Sequence, residues 1–501
     1  MQTKTQLEDI QNYLTDASNM QGGHAAKLFI PESEAEISQI LSDANESSTP
    51  VTISGARTGT VGGAIPFGGI VISLEKLNKI AINKDERTAT IGGGVMLGDL
   101  QKAVDGVGLF YPPDPTEWSC QIGGTVATNA SGARSFKYGA TREFVQRLKV
   151  ILADGEIAEI RRGDTVAADD GSITTVTSSG HEIKTRPLTY ERPNVRKNVS
   201  GYFNAKPLDA IDLFIGSEGT LGVITEVELS LMPKPEGLFS GIVFFEKESG
   251  LMGLVEEIRE SSFAARKNPA AIAPGSDMID ATLVEYFDHR ALKFISEKFP
   301  ETPEGMAGAI FFEQETTAEN EDVLLEKWNE VFEKHCADLE RSWFTTNEQD
   351  FEKMRDFRHA LPVSVNERIT KYGQRKVGTD MAVPDGNFAS FLKYYKDTLD
   401  ASGLDYVIFG HIGDCHLHAN MLPKNADEAE KARHIYGRCV AQAIMLGGTV
   451  SAEHGIGKLK RKYLAAMMGE RYLTEMAELK KAFDPNGILS RGNMFEESYL
   501  A

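Results

Sequence analysis

Three of the ten histidines fall within FGHIGDCHLHAN, residues 409–420, together with an aspartate and a cysteine. LDYVIFGHI reads as a strand, GD as a turn and CHLHANML as a returning strand. Alternate residues of a strand share a face, so His416, His418 and Asn420 point one way and His411 can meet them across the turn. Imidazoles converging at a turn suit a divalent transition metal. A third ligand is needed, and TVSAEHGIGK offers Glu453 beside His454, in a loop just before a helix. By themselves, two histidines seven positions apart are more often structural than ligating.

A second concentration of chemistry is SGARTGTVGGAIPFGG, residues 54–69, with six glycines in sixteen residues. Successive backbone N–H groups there could form a nest for a pyrophosphate, since glycine reaches φ > 0 freely and lets the backbone come close. A mobile surface loop would have the same glycine density. Neither GxGxxG nor GxxxxGK[ST] occurs, which argues against a Rossmann NAD site or a P-loop.

The elements that must position these residues fall into blocks. TPVTISG, GGIVISL, TATIGGG, RLKVILADG and GVITEVELSLMP read as strands, with a polar, loop-rich insertion over 160–206. After MPKPEG, strands such as GLFSGIVFF and AGAIFFEQE alternate with helices, which predicts an antiparallel sheet with helices on one face. The expected fold class is α+β. A helical arm spans 1–27, a glycine-rich, strand-rich region of two subdomains 28–236, a strand–helix domain 237–425 and a C-terminal helical segment 426–501. In that last segment one helix stops at Gly447 and Gly448, and two short helices follow.

Composition narrows the partners. The 501 residues carry a formal net charge of −20 and a pI near 5.1, a balance that repels phosphate backbones and anionic lipid. Nucleic acid is therefore not an expected partner, and an anionic substrate needs a local cation. Four scattered cysteines with no CxxC pair suggest a reducing compartment. The N-terminus lacks an apolar signal region, and no run approaches the ~20 apolar residues of a membrane span. The expectation is a cytoplasmic protein, with peripheral membrane docking and a homodimer both left open.

Segments 54–69, YPPDPTEWSCQIGGTVATNASG, KYGATREFVQRLKVILADG and IGSEGTLGVITEVELSLMP together resemble the FAD-binding (PCMH-type) domain of the vanillyl-alcohol-oxidase flavoenzymes. The likeness is closest to their D-lactate and glycolate dehydrogenase branch and runs from about residue 28 to the end. It implies that Ser54, Gly55, Ala56, Arg57, Thr58, Gly59, Thr60, Gly62 and Gly63 wrap the FAD pyrophosphate. Pro113, Asp114, Ile122, Gly123, Gly124, Ala127, Thr128, Asn129 and Gly132 would line the flavin. Glu218, Gly219, Gly222, Val223 and Ile224 would hold the adenosine end. Relatives that tether FAD do so through a histidine or cysteine in the first loop, where this chain has Arg57-Thr58-Gly59-Thr60, so FAD is expected to be non-covalent.

The same resemblance turns the histidine segment into a metal site, because GHxGDGNxHxN and SxEHGxG are the paired metal motifs of this branch. It implies His411, His418 and Glu453 as ligands of a divalent metal (zinc first, manganese or iron as alternatives). His454 would be the base, and Asn420 would contact substrate. Arg358 matches a carboxylate-binding arginine, with Arg355 a rival and Lys376 a weaker candidate; a guanidinium can grip a carboxylate bidentately. The chain departs from the pattern in three places. Cys415 and His416 stand where glycine and asparagine are usual, and His416 is expected to support the ligands rather than join them. ILSRGNMF replaces ILNPGKVF near the cofactor. Gly378 stands where 2-hydroxyglutarate-specific relatives carry a lysine, which argues against a dicarboxylate.

The implied reaction is oxidation of a D-2-hydroxy acid of the lactate or glycolate type to the 2-oxo acid by hydride transfer to flavin N5. Electrons would then leave to a quinone, a cytochrome or an electron-transfer flavoprotein. The rival within the fold is a metal-free flavin oxidase of an alcohol or sugar. A metal-dependent hydrolase lacks its HExxH helix and leaves the glycine-rich half unexplained, and a flavin-binding module without catalysis is the remaining class.

Overall fold

The computed structural model describes residues 1–268, 276–345 and 348–500. Near the N-terminus, Lys27–Ile30, Ile70–Ser73 and Val51–Ser54 form a parallel sheet, with Gln2–Lys4 added antiparallel at one edge. Ile70–Ser73 is buried along its length, as the middle strand of a covered parallel sheet must be. The helix Glu34–Glu46 begins where the Ser33 side chain accepts from Glu36 N, and it buries Ile37, Ile40, Leu41 and Ala44. These pack against Val51, Ile70 and Ile72.

The predicted helical arm is a correction. Only Leu7–Ile10 is α-helical, followed by a 3₁₀ turn at Gln11–Tyr13, while Gln2–Lys4 pairs with Lys27–Ile30. An edge strand offering unpaired backbone groups outweighs the weak helical periodicity, and Ile10 and Leu14 bury against Leu28 and Ile30.

A second, fully antiparallel sheet has the spatial order Ile80–Asn83, Thr88–Gly92, Val223–Ser230, Val145–Ile151, Ile157–Arg161. Its central strand arrives last, after the polar insertion, which carries its own hairpin of Ile173–Val176 and Glu182–Thr185. The helix Ile122–Thr128 approaches this sheet so closely that a Cβ at Gly123 would stand 2.8 Å from Gly93 O.

The third sheet has seven antiparallel strands, ordered Asp338–Phe344, Gly237–Phe245, Gly308–Thr316, Ala281–Asp288, Tyr406–Gly410, His418–Met421, Val377–Gly378. The α+β class is as expected, but the helices, expected on one face, cover both. Phe245, Val284, Tyr286, Ile310 and Phe312 pack toward the helices Glu248–Lys267, Glu321–Lys334 and Phe388–Asp400. Phe244, Leu283, Phe287 and Phe311 pack toward His289–Ile295 and Glu348–Lys371. Ala281–Asp288 and Gly308–Thr316 are buried on both faces almost throughout, so period-two reading could not separate the faces. The C-terminal helices Ala426–Met445 and Arg461–Phe483 flank the loop bearing Glu453; the second is broken at Gly469 (φ 74°) into two short pieces. Among the described residues no helix is long and apolar enough to cross a membrane.

Candidate active site

Tyr406–Gly410 pairs with His418–Met421, setting Phe409 opposite His418 and Val407 opposite Asn420. The connection is a 3₁₀ turn, Ile412–Asp414, closed by Cys415 at φ 54°, the left-handed conformation that glycine adopts most easily. Pairing therefore starts at His418 rather than Cys415. His416, which precedes the ladder, still turns to the same side: its ring lies 4.6 Å from that of His418 and 5.7 Å from that of His411.

Glu453 is the hub of this cluster. Its Oε1 accepts from Ser131 Oγ at 2.7 Å and Lys197 Nζ at 2.6 Å. Its Oε2 faces His411 Nε2 at 3.2 Å, His416 Nδ1 at 3.7 Å and His418 Nε2 at 3.7 Å. The far side of two rings meets an acceptor: His411 Nδ1 lies 2.5 Å from Glu285 Oε1 and His418 Nδ1 2.9 Å from Thr379 O, whereas His416 Nε2 stands 3.2 Å from Asp380 Oδ1 without a hydrogen bond. Ligands whose outer nitrogen is held this way have their inner nitrogen aimed and its tautomer fixed.

Opposite charges crowd this cluster. Burial disfavours an imidazolium at His411, but Glu285 and Glu453 outweigh it and push the group up to about 9. Against their own burial, His411 and Lys197 hold Glu453 well below the usual carboxylate range, and His411 and Arg358 hold Glu285 down at about 2. Burial and the neighbouring His418 push His416 down to about 4. Glu285 and Glu453 thus favour positive charge at His411, charge that a divalent ion beside Glu453 Oε2 would supply instead.

His454 stacks on His418, with ring centroids 5.2 Å apart and planes 12° apart. Its Nδ1 is 3.6 Å from Asp380 Oδ2, and its side chain is 37% exposed, so water can reach it. Packing around it lowers its pKa, and Asp380 partly opposes this; its solvent-facing edge weakens the burial effect. Arg358 lies in the helix Glu348–Lys371 with Nε 3.2 Å from Glu285 Oε2, so Glu285 links the predicted substrate cation to the predicted ligand His411. Asn420 is buried beside the edge strand: a Cβ on Gly378 would stand 2.7 Å from its Oδ1. Lys376 is exposed and the structure does not draw it into the cluster.

Residues 25–161 match the family model for the FAD binding domain, and residues 270–494 match that for the C-terminal domain of FAD linked oxidases. The chain is 30% identical over 489 residues to the glycolate oxidase subunit GlcD of Bacillus subtilis, covering 96% of this chain and 92% of that one. It belongs to the FAD-linked oxidases. A D-lactate dehydrogenase of Anaerostipes hadrus is 31% identical over 472 residues, covering 92% of this chain and 88% of the other. Among solved structures, 4-ethylphenol oxidase from Gulosibacter chungangensis superposes with TM-score 0.69 at 17% identity, over 99% of this chain and 95% of that one. That likeness shows the shared fold.

The glycine-rich segments of this FAD-linked oxidase fit the cofactor unequally. A Cβ at Gly59 or Gly124 would meet nothing within 4 Å, so open space lies against the backbone there. Arg57, at φ 62°, braces the first loop through Nη1 to Ser54 Oγ at 3.2 Å and Gly55 O at 3.0 Å. Other glycines are needed for packing: a Cβ on Gly132 would lie 2.0 Å from Asp114 O, and one on Gly222 2.3 Å from Val150 Cγ1. The Glu218 carboxylate accepts from Ile456 N at 2.6 Å and Gly457 N at 2.7 Å, so it ties the FAD domain to the loop after His454. Ile122, Val223 and Ile224 are core side chains, so any contact they make with FAD runs through backbone or side-chain edges.

Sequence reading missed Glu285, Asp380, Lys197 and Ser131. Glu285 had a signal: it is the lone charge inside the apolar run ATLVEYF. Lys197 had none, since it sits in a polar insertion rich in cations.

Proposed function

We propose that this FAD-linked oxidase is a FAD- and metal-dependent dehydrogenase of a small D-2-hydroxy acid, of the lactate or glycolate type, yielding the 2-oxo acid. The observation that carries this reading is the convergence of His411, His418 and Glu453 on one point beside His454. When bound, FAD takes the hydride and the metal polarises the substrate hydroxyl. His411, His418 and Glu453 hold the metal. His454, with Nδ1 toward Asp380, has Nε2 available for the hydroxyl proton. Arg358, kept in place by Glu285, grips the carboxylate, and Asn420 orients the substrate. Gly378 puts no second cation beside Asn420, which favours a monocarboxylate. The names of the Bacillus and Anaerostipes relatives point to the same substrate class. The electrons leave to a quinone, a cytochrome or an electron-transfer flavoprotein.

The test is anaerobic bleaching of the bound flavin by paired D- and L-2-hydroxy acids, with and without a chelator. D-lactate or glycolate should bleach it, L-lactate should not, and chelation should stop the reaction until metal is returned. An unbleached flavin with every D-2-hydroxy acid in metal-replete protein would refute the proposal.

A further inference from the structure

Of the imidazoles around Glu453, His416 is the one for which the protein offers no role of its own. It is fully buried, and neither ring nitrogen makes a hydrogen bond. Its Nε2 lies 3.2 Å from Asp380 Oδ1 but off the line a hydrogen bond requires. A buried polar ring left unpaired is costly unless something occupies the space it faces.

What it faces is Glu453 Oε2, 3.7 Å from Nδ1, the same separation as that of His418 Nε2. One donor atom from each of His411, His416, His418 and Glu453 lies within 4.8 Å of every other. Nitrogen and oxygen ligands about 2.0–2.2 Å from a shared ion stand roughly 3–4 Å from one another, as the three imidazole nitrogens stand from Glu453 Oε2, at 3.2, 3.7 and 3.7 Å.

A competing group, Asp380 with His418 and His454, is also close enough to share an ion. Its carboxylate is already engaged, however. Oδ1 accepts from Glu453 N at 3.1 Å, and Oδ2 accepts from Ser451 Oγ at 2.7 Å, Lys460 Nζ at 2.5 Å and His454 N at 3.1 Å. Asp380 supports the loop and the back of His416.

We infer that His416 is a fourth protein ligand of the metal, through Nδ1, and that the site takes an ion of six-fold coordination. This rests on the metal reading proposed above and departs from the expectation that His416 stands behind the ligands. Three nitrogens and one carboxylate oxygen already complete a tetrahedral zinc sphere. A 2-hydroxy acid that chelates through hydroxyl and carboxylate needs two further positions, which an octahedral Mn(II) or Fe(II) provides.

X-ray absorption of the flavoprotein, stripped of metal and reloaded with Mn(II) alone, counts the imidazoles directly. The expected result is three imidazoles in a six-coordinate sphere for the native chain and two for His416→Asn, with flavin content unchanged. Two imidazoles in the native protein, or a four-coordinate sphere, would overturn the inference while leaving the metal reading intact. Failure to retain either Mn(II) or Zn(II) would overturn both. The native count decides the matter even if His416→Asn does not fold.

Discussion

Lys197 Nζ stands 2.6 Å from Glu453 Oε1 across 256 residues of chain, and this contact fixes which way Glu453 faces. With Oε1 held by Lys197 and Ser131, Oε2 is the oxygen left for the imidazoles. Lys197 comes from the polar insertion of the FAD domain, whereas Glu453 comes from the C-terminal segment. The imidazole cluster is therefore oriented by the domain that contains the glycine-rich loops.

Lys197→Met should loosen Glu453 while sparing the FAD loops. The expected outcome is a loss of roughly 10–100-fold in metal affinity or turnover, as for other residues that orient a ligand. Metal content after dialysis checks it, with flavin content as the control for folding. Full metal retention would show that Ser131 alone suffices.

Arg358→Lys keeps the charge but loses the planar fork. If Arg358 grips the substrate carboxylate, kcat/KM should fall by about 10–100-fold, mainly through KM, because a hydrogen bond to a charged group contributes ~1.5–3 kcal/mol. Steady-state kinetics with D-lactate measures it. An unchanged KM would move the role to Arg355 or Lys376.

The first cofactor loop holds neither histidine nor cysteine among Arg57, Thr58, Gly59 and Thr60. Acid precipitation should therefore leave all yellow colour in the supernatant. Flavin that remains with the pellet would show a covalent link elsewhere.

Asp288 accepts from Ala291 N at 2.7 Å at the start of a helix, and burial pushes its carboxyl up from 3.8 to about 7. The folded protein therefore binds a proton there more tightly than the unfolded chain, so this residue's contribution to stability falls as pH rises from about 4 to 7. The full effect is up to ~4 kcal/mol. Asp288→Asn keeps an acceptor at the cap and removes the titration. Denaturant unfolding at pH 4.5 and 7.5 should show the variant gaining on the native protein at the higher pH, and a constant difference would contradict it.

Much of the fold was legible because its strands are short, apolar and separated by glycine turns. The strands at Val51, Ile70, Thr88, Val145 and Val223 all lie where the alternation placed them. The two-faced third sheet was not legible, since Phe244 and Phe245 are both buried and give no period. The histidine segment announced that its imidazoles converge, yet the partners that orient them lie far off in sequence. Glu285, Thr379 and Asp380 reach the rings only through strand pairing, and Lys197 only through a loop contact. His416 was placed on the right side by an alternation that does not in fact extend to it.

The hydrogen bond from Ser131 to Glu453 joins residues 322 positions apart. At roughly 5–20 residues per second, a ribosome releases the first about 15–60 s before the second. Throughout that interval the nascent FAD domain must stay soluble with Lys197 lacking its carboxylate partner and Glu218 lacking the two amides it later binds. Translation speed between codons 131 and 453 thus sets how long the half-made enzyme is exposed to aggregation.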